Sequence, residues 1–499
     1  MSRNVTAHSK THSTPTSWMI REILDTIFSF LSLFADRATL LSLALTCRTM
    51  TKAAQAALWH TMDSFTPIIP LLPLVKVDNS YKLSDALVPD GSRALQHLAC
   101  TRVFVFSKIE HFMSDFTVQM AFSSILPVLF PNLSKLIIPN SVDGFTPEQR
   151  VFLHYFLASP LQDLVVGETH RSETLQAFAS VLALRARDSL QSVSCTGSWN
   201  HLPRTITTLP LIHTIVLTGQ LSDQNSVIAD LSQCKSLRRL EICIREEIPG
   251  ARNSSYPTTF FPRLENLTFS GDVTAIWCFL ALLTSPYLQT LRLRPENWSE
   301  EFGVMLDCLV SLLVDCHYKE RGWRSLAVLE ITYDCATSLA QGFILDDKAY
   351  HNFFKGLSVL PLVSFELSLP VPLPSTVSLN FIASCFPGLH TLYLHRYQRA
   401  MAPTFDDLHS LAQTAPKLRR LGTRIRTGRI NTTPRASNHL LDTLCVYDSS
   451  VEDAWYVADQ LDQSFPYLRR ITTTSTACKE GWNGVGLLLD LCHRSRRRF

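Results

Sequence analysis

The sequence has no long apolar run. Its longest unbroken stretch, from Ala275 to Leu283, is nine residues, far short of the roughly 20 that a membrane helix needs. The opening residues, MSRNVTAHSKTHSTPTS, hold no apolar segment, so no secretory signal is expected there. Charge of one sign is also scarce: 46 Lys and Arg against 43 Asp and Glu leave a net charge of +3. Overall electrostatics therefore give no attraction to nucleic acid or to a membrane surface. One local exception, HRSRRRF from His493 to Phe499, reads first as a solvated tail, with contact to nucleic acid, lipid or an import receptor as the alternative. Thirteen cysteines are present, yet no C-x-x-C pair occurs and the spacing is irregular. They read as small buried hydrophobes kept reduced, which fits a cytoplasmic or nuclear protein.

Catalytic signatures are missing as well. The sequence contains no H-E-x-x-H, no G-x-S-x-G and no P-loop. GWNGVG, from Gly481 to Gly486, has three glycines at the wrong spacing for a dinucleotide turn and reads as a capping turn. Cys316-His317 and Cys492-His493 lack further ligands at useful spacing, so no zinc site is expected. Asp346, Asp347 and His351 read as loop polarity. The expectation is a non-enzyme with no cofactor, no metal and no catalytic residue.

What the sequence does have is a repeat. Segments such as PNLSKLIIP, KSLRRLEIC, PYLQTLRLR, PGLHTLYLH and PYLRRITTT share an L-x-x-L-x-L core. Its first apolar position falls at Leu133, Leu161, Leu190, Ile212, Leu237, Leu264, Leu288, Leu326, Leu362, Leu389, Leu418, Leu441 and Leu468. The mean step of about 28 residues lies within the range of leucine-rich repeats. The alternating L-x-L part predicts a short strand with one buried face. Helical patterns such as VTAIWCFLALLTS and SVEDAWYVADQLDQS lie between strands. Pro in Phe-Pro-x-Leu stops each helix and starts the turn. Strand and helix stacked at constant hand predict a curved α/β solenoid with a parallel sheet on its concave face. A helical solenoid is the rival, and it handles the strand-like cores poorly.

Two departures from standard repeats stand out. The usual Asn or Cys after the third apolar position is replaced by Ser141, Asp272, Glu296 or Asp334. Two steps, Leu288 to Leu326 to Leu362, are long, so irregularity is expected there. Strand positions 3, 5 and 7 project away from the core. They place Arg239, Arg292, Arg294, Tyr393, His395, Arg420, Arg424, Tyr447 and Arg470 on the concave face as candidate substrate-binding residues. Guanidinium groups in such a row suit an acidic or phosphorylated protein segment. The alternative is a set of scattered, solvated strand residues.

Upstream of the repeats, Ile20, Ile23, Leu24, Ile27, Phe28 and Leu31 fall at helical spacing. Asp36 or Thr39 is placed to cap a second helix carrying Leu40, Leu41, Leu43, Ala44 and Cys47, and Thr51 a third carrying Leu58 and Trp59. Three helices in so few residues bury little core and leave apolar surface for a partner. The stretch MIREILDTIFSFL…DRATLLSLALTCRTMTKAAQAALWHTMDS resembles the F-box of fungal F-box proteins, through Glu22, Ile23, Leu24, Ile27, Phe28, Cys47, Arg48, Leu58 and Trp59. It departs at Met19-Ile20, where the family usually has Leu-Pro. The resemblance implies docking on the Skp-type adaptor and cullin scaffold of a ubiquitin ligase. Met19, Ile20, Glu22, Ile23, Leu24, Ile27, Phe28, Leu31, Leu40, Leu43, Cys47 and Trp59 would then form the adaptor surface, with Cys47 packed between helices rather than reactive.

The expected organisation is a disordered N-terminus over 1–15, the F-box over 16–64, and a linker with N-terminal cap over 65–128. A solenoid over 129–478 follows, then a cap and basic tail over 479–499. The expected role is substrate recognition for a cullin–RING ligase. A scaffold outside any ligase is the alternative, and a hydrolase or transferase hidden between Pro295 and Val363 is a third.

Overall fold

The computed structural model describes residues 23–24, 26–28, 37–46, 48–64, 67, 74–77, 80–83, 96–106, 130–138, 156, 159–167, 180, 182–197, 202–219, 224–245, 260–297, 302–318, 323–333, 347–369, 373–374, 377–395, 402–428 and 437–496. The chain divides into two compact units, Met1–Ile212 and His213–Phe499.

The N-terminal unit opens on helical residues 23–24 and 26–28, then α1 (Arg37–Thr46) and α2 (Arg48–His60). Phe28, Leu40, Ala44, Ala53 and Ala54 form a small core, with Leu24, Leu43, Met50, Ala57 and Leu58 packed on it. Thr51 does not cap the third helix. That helix already begins at Arg48, and the Thr51 hydroxyl instead donates to the Ala44 carbonyl at 2.8 Å, tying α2 to α1. Thr39 lies inside the first turn of α1 rather than before it; Asp36 lies outside the described residues.

Directly after α2, β1 (Thr61–Met62) pairs in parallel with β4 (Val103–Val105). The expected first strand over Arg102–Phe106 is thus real but second in the ladder. Two residues are too few to show an alternation, so β1 was invisible to pattern reading. The linker also holds an antiparallel hairpin, β2 (Leu74–Val77) with β3 (Ser80–Leu83). From β4 the ladder runs in parallel through β5 (Lys135–Ile138), β6 (Asp163–Val166) and β7 (Ser192–Thr196). A short helix, α3 (Leu202–Ile206), follows.

The C-terminal unit is a ladder of ten parallel strands with helices between them. Its strands are β8 (Thr214–Thr218), β9 (Arg239–Ile244), β10 (Asn266–Asp272), β11 (Thr290–Asn297), β12 (Val328–Thr332), β13 (Ser364–Ser368), β14 (Thr391–Leu394), β15 (Arg420–Thr423), β16 (Thr443–Val446) and β17 (Arg470–Thr473). Each pairs with the next in chain order. Its helices are α4 (Gln224–Ser232), α5 (Val273–Leu282), α6 (Phe302–Tyr318), α7 (Asp347–Leu357), α8 (Leu379–Cys385), α9 (Phe405–Thr414), α10 (Ala454–Ser464) and α11 (Lys479–Arg496). From α5 onward, successive helices pack side by side. This is the α/β repeat architecture expected from the sequence: all thirteen L-x-x-L-x-L segments carry a strand. The parallel ladder excludes a helical solenoid.

The apolar positions behave as the pattern requires. Ile215, Leu240, Leu267, Leu291, Leu329, Phe365, Leu392, Leu421 and Leu444 lie in register and are fully buried. Each strand buries what its neighbours cannot cover alone. Phe-Pro-x-Leu forms a recurring turn in which the Leu N–H donates to the Phe carbonyl, as at Leu264–Phe261, Leu389–Phe386 and Leu468–Phe465. Pro presets the turn's second residue, and the preceding Phe is buried each time.

Asp272 shows why one position lacks the usual Asn. Its carboxylate accepts the Thr274 N–H and caps α5, so the strand passes straight into a helix. Gly271 makes this junction possible: its φ is +133° and a Cβ there would sit 1.6 Å from the Ile244 carbonyl oxygen. Glu296, at the equivalent place one strand on, accepts from Arg245 at 2.8 Å. Ser141 and Asp334 lie outside the described residues.

The two long steps are filled in part by α6 and α7; α7 buries Tyr350, Phe353, Phe354 and Leu357. The expected capping turn GWNGVG is instead part of α11. Two of its glycines suit close packing, since a Cβ on Gly481 would meet Val451 at 2.9 Å and one on Gly484 would touch Ala454 at 3.7 Å; Gly486 faces open space. Trp482, Val485 and Leu489 face inward, and the Trp482 indole N–H donates to the Ser449 carbonyl at 2.7 Å. A helix packed on the last strand closes the array, as repeat stacks require. No helix among the described residues is long and apolar enough to cross a membrane.

Candidate functional site

Two surfaces carry the residues singled out by the sequence. The first is the helical module. Met19, Ile20, Glu22, Leu31 and Cys47 lie outside the described residues. Ile23 is 56% exposed and Ile27 48%; four residues apart, they share one stripe of their helix. Leu24, Phe28, Leu40 and Leu43, assigned by resemblance to the adaptor surface, belong to the module's own core or pack on it. Phe28 and Leu40 are each only 3% exposed, so a partner cannot use them without opening the module. Trp59 is half-buried, its ring stacked on His97 with centroids 4.7 Å apart.

The sequence groups Leu41 with the inward stripe of Leu40 and does not single out Leu45. Leu41 and Leu45 are 50% and 79% exposed and again four residues apart. In TLLSLALT apolar residues occur on every side of the helix, so spacing alone cannot choose which leucines face inward. Packing against Ala53 and Ala54 makes the choice.

The second surface is the open face of the C-terminal ladder, formed by residues between the buried ones. Most of its arginines are already engaged. Arg239 and Arg294 both lie near the Glu241 carboxylate, at 3.8 and 3.7 Å. Arg292 donates to Glu330 at 2.5 Å, and Arg424 pairs with Asp448. The expected free row is therefore largely an internally balanced one: Glu241 lies on the same strand as Arg239, Glu330 on the strand next to Arg292, and Asp448 just past the end of β16. Arg420 and Arg470 differ. Both are exposed, and no carboxylate among the described residues pairs with either.

Toward the C-terminal end the face becomes aromatic. Tyr393 and Tyr447 lean over Gly422 from the strands on either side: a Cβ there would lie 2.0 Å from Tyr393 Cδ1 and 2.6 Å from Tyr447 Oη. His395 stacks on Tyr447 at 4.4 Å, and its Nε2 lies 2.7 Å from Glu366 Oε1. Burial pushes both tyrosine hydroxyls above their ordinary pKa, with nearby Cys445 and Glu366 adding to the effect. Tyr447 is only 7% exposed; it is a wall of the cluster rather than a free contact. Gly422 was not singled out by the sequence, although a glycine inside a strand pattern signals close approach of a neighbour.

Cys195 and Cys234 are buried, and burial pushes both thiols up, Cys234 to about 12, away from the thiolate that a nucleophile needs. Asp346 and Cys316 offer no described side chain. His351 Nδ1 lies 2.9 Å from the Asp347 carbonyl oxygen, inside its own helix. Among the described residues no three His, Cys, Asp or Glu side chains gather as metal ligands.

No protein-family model matches the chain, and no curated protein matches it. Among solved structures, an internalin (inlF) from Listeria monocytogenes str. 4b F2365 is similar at 13% identity and a TM-score of 0.37, covering 75% of this chain and 92% of that one. The Rad7 and Elc1 complex in yeast is similar at 13% identity and a TM-score of 0.31, covering 93% of this chain and 92% of that one.

Proposed function

We propose that this chain is the substrate-recognition subunit of a cullin–RING ubiquitin ligase of the SCF type. The N-terminal helices dock on a Skp-type adaptor, and the open face of the C-terminal ladder holds a target protein. The observation that carries the reading is the pair of outward apolar stripes, Ile23 with Ile27 and Leu41 with Leu45, on a module with so small a core. Apolar side chains at i and i+4 are the anchors of helix-in-groove recognition. The chain makes no covalent intermediate; it raises the rate by holding a target lysine near the charged conjugating enzyme.

Capture of the Skp-type adaptor and a cullin from lysate by the full chain tests this. Wild type captures both, and Leu41→Asp with Leu45→Asp captures neither while its melting temperature is unchanged. These positions are chosen because Phe28→Asp would disrupt the core and lose binding for that reason alone. Capture of the adaptor without any cullin supports the second reading, an interaction scaffold outside a ligase.

A further inference from the structure

We propose that Arg420 and Arg470 form an anion clasp on the open sheet face that takes a single phosphorylated side chain of the bound protein. The proposal deepens the reading of this face as the target-recognition surface and rests on it.

The geometry comes from register. Arg420 pairs with Thr443, and Thr443 pairs with Arg470. The next residues along, Leu421 and Leu444, are buried, so these three project to the other side. Strands lie about 4.8 Å apart, which puts the two arginine Cα atoms about 10 Å from each other with Thr443 midway. Both arginines come from the same Leu-Arg-Arg phase of their repeats, and the preceding residues, Arg419 and Arg469, are also exposed.

Charge singles out this pair. Elsewhere on the face each arginine has a carboxylate: Glu241 for Arg239 and Arg294, Glu330 for Arg292, Asp448 for Arg424. Between Arg420 and Arg470 the outward residue is Thr443, which carries no charge. A phosphate monoester brings a charge near −2 and three acceptor oxygens, matching two guanidinium forks and one hydroxyl. Tyr393, beside Arg420, offers a half-exposed ring to a flanking residue.

The same surroundings limit the ligand's extent. Glu366 and Glu330 occupy the outward places on β13 and β12. An extended polyanion such as RNA would run onto them; one phosphate would not. The favoured occupant is thus a phosphopeptide segment rather than a nucleic acid.

The test uses the immobilised full chain and two probes, a degenerate phosphoserine peptide pool and the same pool unphosphorylated, at physiological salt. Wild type should retain the phosphorylated pool selectively. Arg420→Gln and Arg470→Gln should each weaken retention about tenfold, in line with loss of a charge-assisted pair. Arg420→Lys should fall between, because it keeps charge and loses the fork. Arg263→Gln, in an exposed turn of the same unit, should change nothing. Equal retention of the two pools overturns the proposal, as does an equal loss in Arg263→Gln. Preferential capture of an oligouridylate, or full competition by inorganic phosphate at equal concentration to the peptide, also overturns it. The ligase reading is scored separately on the same proteins. Selective phosphopeptide retention without adaptor capture sinks the ligase reading and leaves the clasp standing; adaptor capture without phosphate selectivity does the reverse.

Discussion

The N-terminal helices and the C-terminal ladder spend their apolar residues differently. Among the described residues of the helical module five side chains form the core, three of them alanines, while Ile23, Ile27, Leu41 and Leu45 face outward. In the ladder a single in-register row, from Ile215 to Leu444, buries nine large side chains completely. The ladder's stability comes from neighbours that repeat, so its outward positions are free to be polar. The described part of the module leaves that apolar surface uncovered, and contiguous exposed apolar surface is the kind that protein partners generally use.

Large-to-small substitution should break this contrast most sharply. Phe365→Ala, in the middle of the buried row, should lower the unfolding free energy by about 3 to 5 kcal/mol, read from the denaturant midpoint of the full chain. Leu45→Ala should leave that midpoint unmoved, because the side chain is 79% exposed. A large loss at Leu45 would mean that the module covers it after all.

A smaller effect sharpens the account of the ladder. Thr404 and Asp407 form a reciprocal capping box at the start of α9. Thr404→Ala should cost about 1 kcal/mol, and a change within error would mean that tertiary packing alone sets the helix start.

The smallest effect is one of pH. His439 is held neutral: its Nδ1 accepts the Leu441 N–H at 3.1 Å and its Nε2 lies 2.7 Å from the Ala415 carbonyl oxygen, to which it donates. Burial lowers its pKa, with the Ala415 carbonyl opposing. The unfolded chain takes up this proton near pH 6.5, where the folded chain does not. The stability His439 contributes is therefore full above pH 6.5 and declines as pH falls through its lowered folded value. His439→Gln should show a shallower fall in denaturant midpoint between pH 7.5 and 5.5. His60 and His97 in the N-terminal unit are lowered mainly by burial too, so part of the fall should remain.

How legible each part was depends on range. The thirteen strands could be read because L-x-x-L-x-L is local and burial follows it residue by residue. The start of helix α11 reads as a turn because three glycines look like one, and only Val451 and Ala454, some thirty residues back along the chain, explain why Gly481 and Gly484 sit in a helix there; nothing in the structure requires Gly486. On the open face, positions were readable and partners were not. That Arg292 meets Glu330 follows from strand register across 38 residues, which no local pattern contains. In the module, choosing Leu40 over Leu41 as the buried leucine needed the partner helix.

The alternation in the ladder has a consequence for how such a face can vary. Residues at positions 1, 4 and 6 hold the unit together, and residues at 3 and 5 face outward. The two sets scarcely overlap. Exchanging Arg420 or Arg470 for another residue rewrites one place on a ruler graduated in steps of about 4.8 Å, while the buried row beneath is untouched. The outward face of this scaffold is editable one strand at a time.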